Sequence, residues 1–287
     1  MFDEIACPVF DQVIHFHGLD LTIRRLDLIH PHISGNKFFK LKYNLLAAKQ
    51  QGYSKVVTFG GAFSNHIVAT AYAAQHFGFQ SVGIIRGEEL RNRPLNPTLE
   101  TAQGLGMQLH FVSREEYRLK DSEDYLTNLN TQFPDHYVIP EGGTNPLAIQ
   151  GCQEILKAQD SEFDVICCAV GTGGTMTGLI EASHAHQQIW GFSALKGDFL
   201  TTDVRKLTCK KNWHIMDDYC FGGYAKTTAE LFEFMSWFEQ QYNIPLEQIY
   251  TGKMLFGIQD LILNKKITKQ MKLLVIHSGG LQGKSCA

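Results

Sequence analysis

The 287 residues are enough for one large domain or two of ordinary size. A hydrophobic content of 44% with 19% charged residues supports a substantial core and excludes a disordered chain. The formal net charge of −3 lacks the basic excess of a phosphate-tracking surface, so nucleic acid is excluded as a partner. No apolar run approaches the roughly 18–20 residues of a membrane-spanning helix, and the first residues carry acids where a secretory signal carries bases. Seven cysteines, an odd number without a C-x-x-C pair, imply reduced and mostly buried thiols in a cytoplasm.

Along the chain, residues 34–37 (SGNK) form a turn that hands over to a helical run. In that run Phe38, Leu41, Leu45 and Ala48 recur at three-to-four spacing, a core-packing stripe. Lys37 is a primary amine at this junction, and an amine held there can form an imine with a carbonyl compound. By itself a loop lysine is more often a solvated charge. From residue 55 short β-like runs alternate with helical ones. Strands are predicted over 55–59, 80–86, 107–112 and 137–139, and helices after Ser64 to Gly78, near 99–105 and over 121–132. A second series has helices over 148–158, 177–184, 227–241 and 253–263 and strands over 163–170, 189–194 and 273–277. This order predicts an α/β fold of two open, mainly parallel αβα modules. A large module would comprise 1–45 and 147–287 and a small one 46–146, with the active site between them. Ligands in such sheets bind beyond the carboxyl ends of strands, which directs attention to the loops there.

Three loops carry candidate chemistry. The loop 171–175 (GTGGT) follows a continuous apolar strand and opens a helix, so its glycines and helix-start amides suit a phosphate. A plain tight turn is the bland alternative. A dinucleotide site is disfavoured, because Met176 stands where a third glycine belongs and Lys196 lies near the place of a ribose-binding acid. The loop 60–66 (GGAFSNH) also joins strand to helix, with Ser64 or Asn65 as a simple N-cap in the bland reading. It is not a G-x-S-x-G elbow. A third loop, 141–146 (EGGTNP), follows the short strand at Tyr137. The fragment Gly283-Lys284-Ser285 has the look of a P-loop end, but Ser278 replaces its first glycine and no helix can follow. The pairs His15/His17, His30/His32 and His184/His186 lack a third ligand at sensible spacing, so no metal site is expected.

Taken together, these segments resemble one family. Gly35-Asn36-Lys37 followed by Phe-Phe-Lys40-Leu-Lys-Tyr is similar to the G-N-K-x-x-K-L-x-Y/F signature of the 1-aminocyclopropane-1-carboxylate deaminase and D-cysteine desulfhydrase family. These are pyridoxal phosphate enzymes with the fold of the tryptophan synthase β-subunit. Ser64-Asn65-His66, the stretch 137–145 (YVIPEGGTN), 217–224 (DDYCFGGY), 250–253 (YTGK) and 277–280 (HSGG) also have counterparts, collinear from about residue 20 to 284. The resemblance implies that Lys37 binds the cofactor covalently and later exchanges the substrate proton, with Lys40 nearby. Burial and cationic neighbours would lower the pKa of Lys37 enough for attack. It implies that Gly171, Thr172, Gly173, Gly174 and Thr175 hold the phosphate and that Asn65 bonds the ring hydroxyl. Ser64, Asn65 and His66 would meet the substrate, and Tyr224 and Tyr250 would line its pocket, where a phenol assists proton transfer.

Two further cofactor positions discriminate within the family. Ring-opening members resemble one another in an acid after the Tyr250 equivalent and a leucine at the Ser278 equivalent, whereas this chain has Thr251 and Ser278. A carboxylate there would keep the pyridine nitrogen protonated; a hydroxyl would not. The resemblance therefore implies β-elimination from a small amino acid, D-cysteine foremost, giving pyruvate, ammonia and hydrogen sulfide, in a cytoplasmic homodimer. Ring opening of 1-aminocyclopropane-1-carboxylate, racemisation and a non-catalytic cofactor-binding role remain as alternatives, with a nicotinamide oxidoreductase further off. The chain departs from both enzymes in being shorter near its N-terminus and over 195–215, and in having Phe38-Phe39 after the lysine.

Overall fold

Hydrophobic runs of two periods build two sheets, seen in a computed structural model that describes residues 1–284. Ser285, Cys286 and Ala287, the tail of the P-loop-like fragment, lie outside the described residues. The chain begins with a hairpin that the sequence reading had not assigned, β1 (Asp11–Phe16) and β2 (Leu19–Arg25). Its two-residue turn is His17-Gly18, both at positive φ (48° and 83°), the geometry that matches strand twist. Helix α1 (Asn36–Gln50) follows. Then come β3 (Lys55–Gly61), α2 (Asn65–Phe77), β4 (Gln80–Arg86), α3 (Pro97–Gly104) and β5 (Met107–Val112). The helix expected over 121–132 is two helices, α4 (Arg114–Arg118) and α5 (Glu123–Gln132). Ser113 and Ser122 each cap one of them, which is why the chain restarts.

After β6 (His136–Ile139) the chain returns through α6 (Pro146–Gln153), which stops five residues short of the expected 158. The rest is β7 (Val165–Val170), α7 (Gly174–Ala182), β8 (Gln188–Ser193), α8 (Phe199–Leu207), β9 (Trp213–Met216), α9 (Ala229–Tyr242), α10 (Thr251–Leu263) and β10 (Leu273–His277). Helix α8 and strand β9 fill the stretch between residues 195 and 217, to which no element had been assigned.

The larger sheet has the order β1-β2-β10-β7-β8-β9 and the smaller β5-β4-β3-β6. Among the described residues only the β1–β2 pair is antiparallel. Central strand β7 (VICCAV) is buried at every residue, as a parallel strand covered on both faces must be. Ile166, Cys168 and Val170 point into one core with Leu179 and Leu274. Val165, Cys167 and Ala169 point into another with Phe238 and Ile258. The smaller sheet likewise packs Ile67 and Leu99 on one face and Tyr117 and Leu129 on the other. Both modules are αβα sandwiches, and the carboxyl ends of β3, β4, β6, β7 and β10 open on one cavity of about 400 Å³.

Candidate active site

Lys37 is the second residue of α1, and its side chain lines this cavity. Burial, and after it the neighbouring Lys40 cation, bring its pKa down to about 7, so the amine is largely a free base slightly above neutrality. Its Nζ donates to Asn36 Oδ1 at 3.3 Å, and Asn36 Nδ2 donates to Thr175 Oγ1 at 2.7 Å. Asn36 thus ties the amine to the glycine loop, a role the sequence reading missed although the residue sits inside its Gly-Asn-Lys motif. Lys40, one turn on, is buried and donates to Gly142 O (2.8 Å), Thr144 Oγ1 (2.9 Å) and Thr172 Oγ1 (3.3 Å). Those bonds hold the loop after β6 against the loop after β7.

The loop 171–175 bends from β7 into α7, with Gly173 at φ 78° as the helix N-cap. Gly171, Thr172, Gly173 and Thr175 line the cavity. Gly174 stands behind them, where a Cβ would come 2.9 Å from Thr144 and 3.2 Å from Lys40 Nζ. A Cβ at Gly171 would come 3.0 Å from the ring of Tyr250, so glycine lets the phenol lie against the loop.

Across the cavity, Ser64, Asn65 and His66 begin α2. Ser64 is the N-cap residue of that helix, as the bland reading has it, but its side chain makes no capping bond, and Ser64 lines the cavity. His66 shares a 2.8 Å hydrogen bond with Thr58 through Nε2. Burial, then Lys37 and Lys40, keep its pKa well below the usual histidine range, so the ring is neutral. Asn65 Oδ1 and His66 Nδ1 are buried and have no hydrogen-bond partner within the chain. Buried polar atoms are seldom left so, and two on residues that line one cavity indicate a ligand. Tyr224 and Tyr250 meet edge to face with ring centroids 6.3 Å apart. Burial raises the pKa of both, so both phenols stay protonated at neutral pH.

Ser278 lines the cavity at the end of β10, but Thr251 does not. Thr251 is fully buried at the start of α10, its hydroxyl 3.3 Å from Glu247 Oε1 and accepting the Glu247 N–H at 3.0 Å. The expectation that Thr251 faces a ring nitrogen is therefore corrected. Glu247 is the lining residue in that quarter, and it went unremarked in the sequence. Its carboxylate accepts the backbone N–H groups of Ile249, Tyr250 and Thr251 at 2.6–2.7 Å, capping α10 from within the cavity. Phe63, Arg86, Glu141 and Tyr224 form the outer rim; of these the sequence had singled out only Tyr224. Among the described residues no three His, Cys, Asp or Glu side chains gather to hold a metal, the histidine pairs included.

A near-neutral lysine, a glycine cradle and an orphaned asparagine fit pyridoxal phosphate, and comparison with known proteins points the same way. The family model for pyridoxal-phosphate-dependent enzymes matches residues 11–279. A protein of Pyrococcus horikoshii provisionally named 1-aminocyclopropane-1-carboxylate deaminase is 31% identical over 93% of this chain and 86% of its own. The chain belongs to the 1-aminocyclopropane-1-carboxylate deaminase and D-cysteine desulfhydrase family of pyridoxal-phosphate-dependent enzymes. Its relatives include a mitochondrial protein of Arabidopsis thaliana named bifunctional D-cysteine desulfhydrase/1-aminocyclopropane-1-carboxylate deaminase, 31% identical over 93% of this chain and 74% of its own. The crystal structure of an ACC deaminase homologue superposes with a TM-score of 0.83 at 27% identity, covering 97% of this chain and 91% of that one. The architecture is the tryptophan synthase β-type fold, and the cofactor is pyridoxal phosphate.

Proposed function

We propose that this family member is a β-eliminating lyase of a small amino acid, D-cysteine or a close relative, releasing pyruvate, ammonia and the β-substituent. The observation that carries the choice of elimination over ring opening is Ser278 at the cavity wall, where ring-opening members resemble one another in a leucine. Glu247 does not change this reading, because its oxygens already accept three backbone N–H groups. Bound pyridoxal phosphate supplies the electron sink that acidifies the substrate Cα–H.

The residues around it have distinct tasks. Asn36 and Thr175 orient the Lys37 amine and the phosphate cradle toward each other. Lys37, whose amine loses its proton at about pH 7, would hold the cofactor and, once its amine is released, take the Cα proton. Asn65, whose buried amide oxygen has no partner within the chain, would bond the ring hydroxyl. Ser64 and the first amides of α2 receive the substrate carboxylate at the positive end of that helix. Ser278, at the cavity wall, would donate to the ring nitrogen without protonating it. Tyr250, beside Gly171, and Tyr224 present protonated phenols that can deliver a proton to the departing group. We place the enzyme in a reducing cytoplasm, where its six described thiols stay free, and propose that it works as a homodimer.

Purified protein is tested with D- and L-cysteine, D- and L-β-chloroalanine and 1-aminocyclopropane-1-carboxylate, scoring pyruvate and 2-oxobutyrate beside the visible spectrum. Pyruvate from the β-substituted D-amino acids is expected. Production of 2-oxobutyrate from the cyclopropane alone would sink the proposal.

A further inference from the structure

Arg86 is the last residue of β4, paired in register with Gly61 at the end of β3. Its guanidinium lies at the cavity rim, and a Cβ on Gly61 would come within 3.6 Å of its Nη2. The group is held in place: its Cζ stands 5.8 Å from the centre of the Tyr117 ring, a cation–π contact. Among the described residues no carboxylate lies within ion-pair distance of it. Glu141, an acid that also lines the cavity, is already engaged, accepting from Tyr117 Oη at 2.8 Å and pairing with Lys120 at 3.3 Å. The other cations of the cavity are also occupied, Lys40 by three oxygens and Lys37 by Asn36. Arg86 is therefore the one cation of the cavity wall, among the described residues, with neither an acid nor a hydrogen-bond acceptor of its own.

An α-carboxylate does not need it. The first amides of α2, left free of a Ser64 cap, already offer a carboxylate site deeper in the cavity. A cation on the rim, beyond that site, is placed for the far end of a substrate. We propose that Arg86 is a specificity residue that favours amino acids bearing a second anion on the side chain, a carboxylate, a sulfonate or a phosphate monoester one or two bonds beyond Cβ. This inference rests on the proposed amino-acid lyase reading and narrows its substrate class. A planar guanidinium suits such a group because it can donate two parallel N–H bonds to it.

The test uses the cofactor-loaded protein and reads binding rather than turnover. D- and L-aspartate are titrated against D- and L-asparagine, neutral isosteres without a β-leaving group, by the change in the cofactor's visible absorption. Wild-type protein is expected to prefer one aspartate enantiomer to its asparagine counterpart by about 10- to 100-fold, the range of a charge-assisted hydrogen bond. Arg86→Leu should abolish that preference while asparagine affinity changes by less than about threefold, and Arg86→Lys should restore part of it. Equal affinities in the wild type would overturn the proposal. So would a uniform loss for both ligands in Arg86→Leu, since Arg86 would then be serving the shared α-carboxylate. Failure of the parent reading looks different: no amino acid would then perturb the spectrum, and β-chloroalanine would yield no pyruvate. Melting curves of both variants that overlay the wild type keep the comparison free of folding effects.

Discussion

Gly35→Ala should damage this protein more than any other single-methyl change near the cavity. Gly35 precedes the Asn36–Lys37 pair at φ 68° and ψ −144°, a conformation that costs an L-residue about 1–3 kcal/mol. The space is also filled. A Cβ there would sit 1.7 Å from Ser278 O, 2.3 Å from Ser278 C and 2.8 Å from Gly279 N, all backbone atoms that cannot rotate away. The first turn of α1 and the end of β10, now joined by Asn36 N–H donating to Ser278 O at 3.2 Å, would have to part by more than about 1 Å. Strain and overpacking together should remove about 2–5 kcal/mol and lower the melting temperature on the order of 5–10 °C. The same shift moves Lys37 against Ser278, both on the cavity wall, and a 1 Å misplacement can lower a rate by about 100-fold. Thermal denaturation, cofactor titration by absorbance and pyruvate release measure the three consequences. Gly104→Ala is the control: that glycine is helical and open on its Cβ side, so alanine should be neutral or stabilising by up to about 1 kcal/mol. A Gly35→Ala protein that melts within about a degree of its parent and turns over normally would refute the reasoning.

Three further outcomes follow from the same geometry. Because burial and Lys40 disfavour the protonated amine, coupling of pyridoxal phosphate to cofactor-free protein should accelerate with pH through about 7 and then level off. A midpoint above about 9, nearer that of an ordinary exposed lysine, would contradict the description of Lys37. Lys40→Met removes three bonds that lock the loop after β6 to the glycine loop, and should weaken cofactor affinity at least about tenfold while Lys37 still couples; unchanged affinity by equilibrium dialysis would count against it. Arg24 is fully buried and bridges Asp11 on β1 and Asp160, so Arg24→Met strands two carboxylates and should cost about 3–5 kcal/mol in denaturant unfolding; a loss below about 1 kcal/mol would show the network to be idle.

Much of this was legible in the chain because each feature leaves a local trace. A wholly apolar strand followed by a glycine loop can be read at β7, since a strand buried on both faces has no room for polar residues. The Asn36–Lys37 turn can be read because only glycine tolerates what Gly35 does. What stayed hidden depends on direction. Arg86 and Glu141 look like ordinary surface charges until β4 and β6 are placed in one sheet with their ends at a common rim. Position 251 shows the same limit within five residues. Tyr250 is the N-cap of α10 and Thr251 its first helical residue, and successive residues on a helix point about 100° apart. When Tyr250 turns to the cavity, Thr251 must turn away from it. There it meets Glu247, which needs the Thr251 N–H and hydroxyl to settle a buried carboxylate. A motif aligned letter by letter treats neighbours as equally present at a site, whereas at the start of α10 one of them lines the cavity and the other serves the cap. Ser278, which directly follows β10, lines the cavity instead, and its backbone passes where a Cβ on Gly35 would stand.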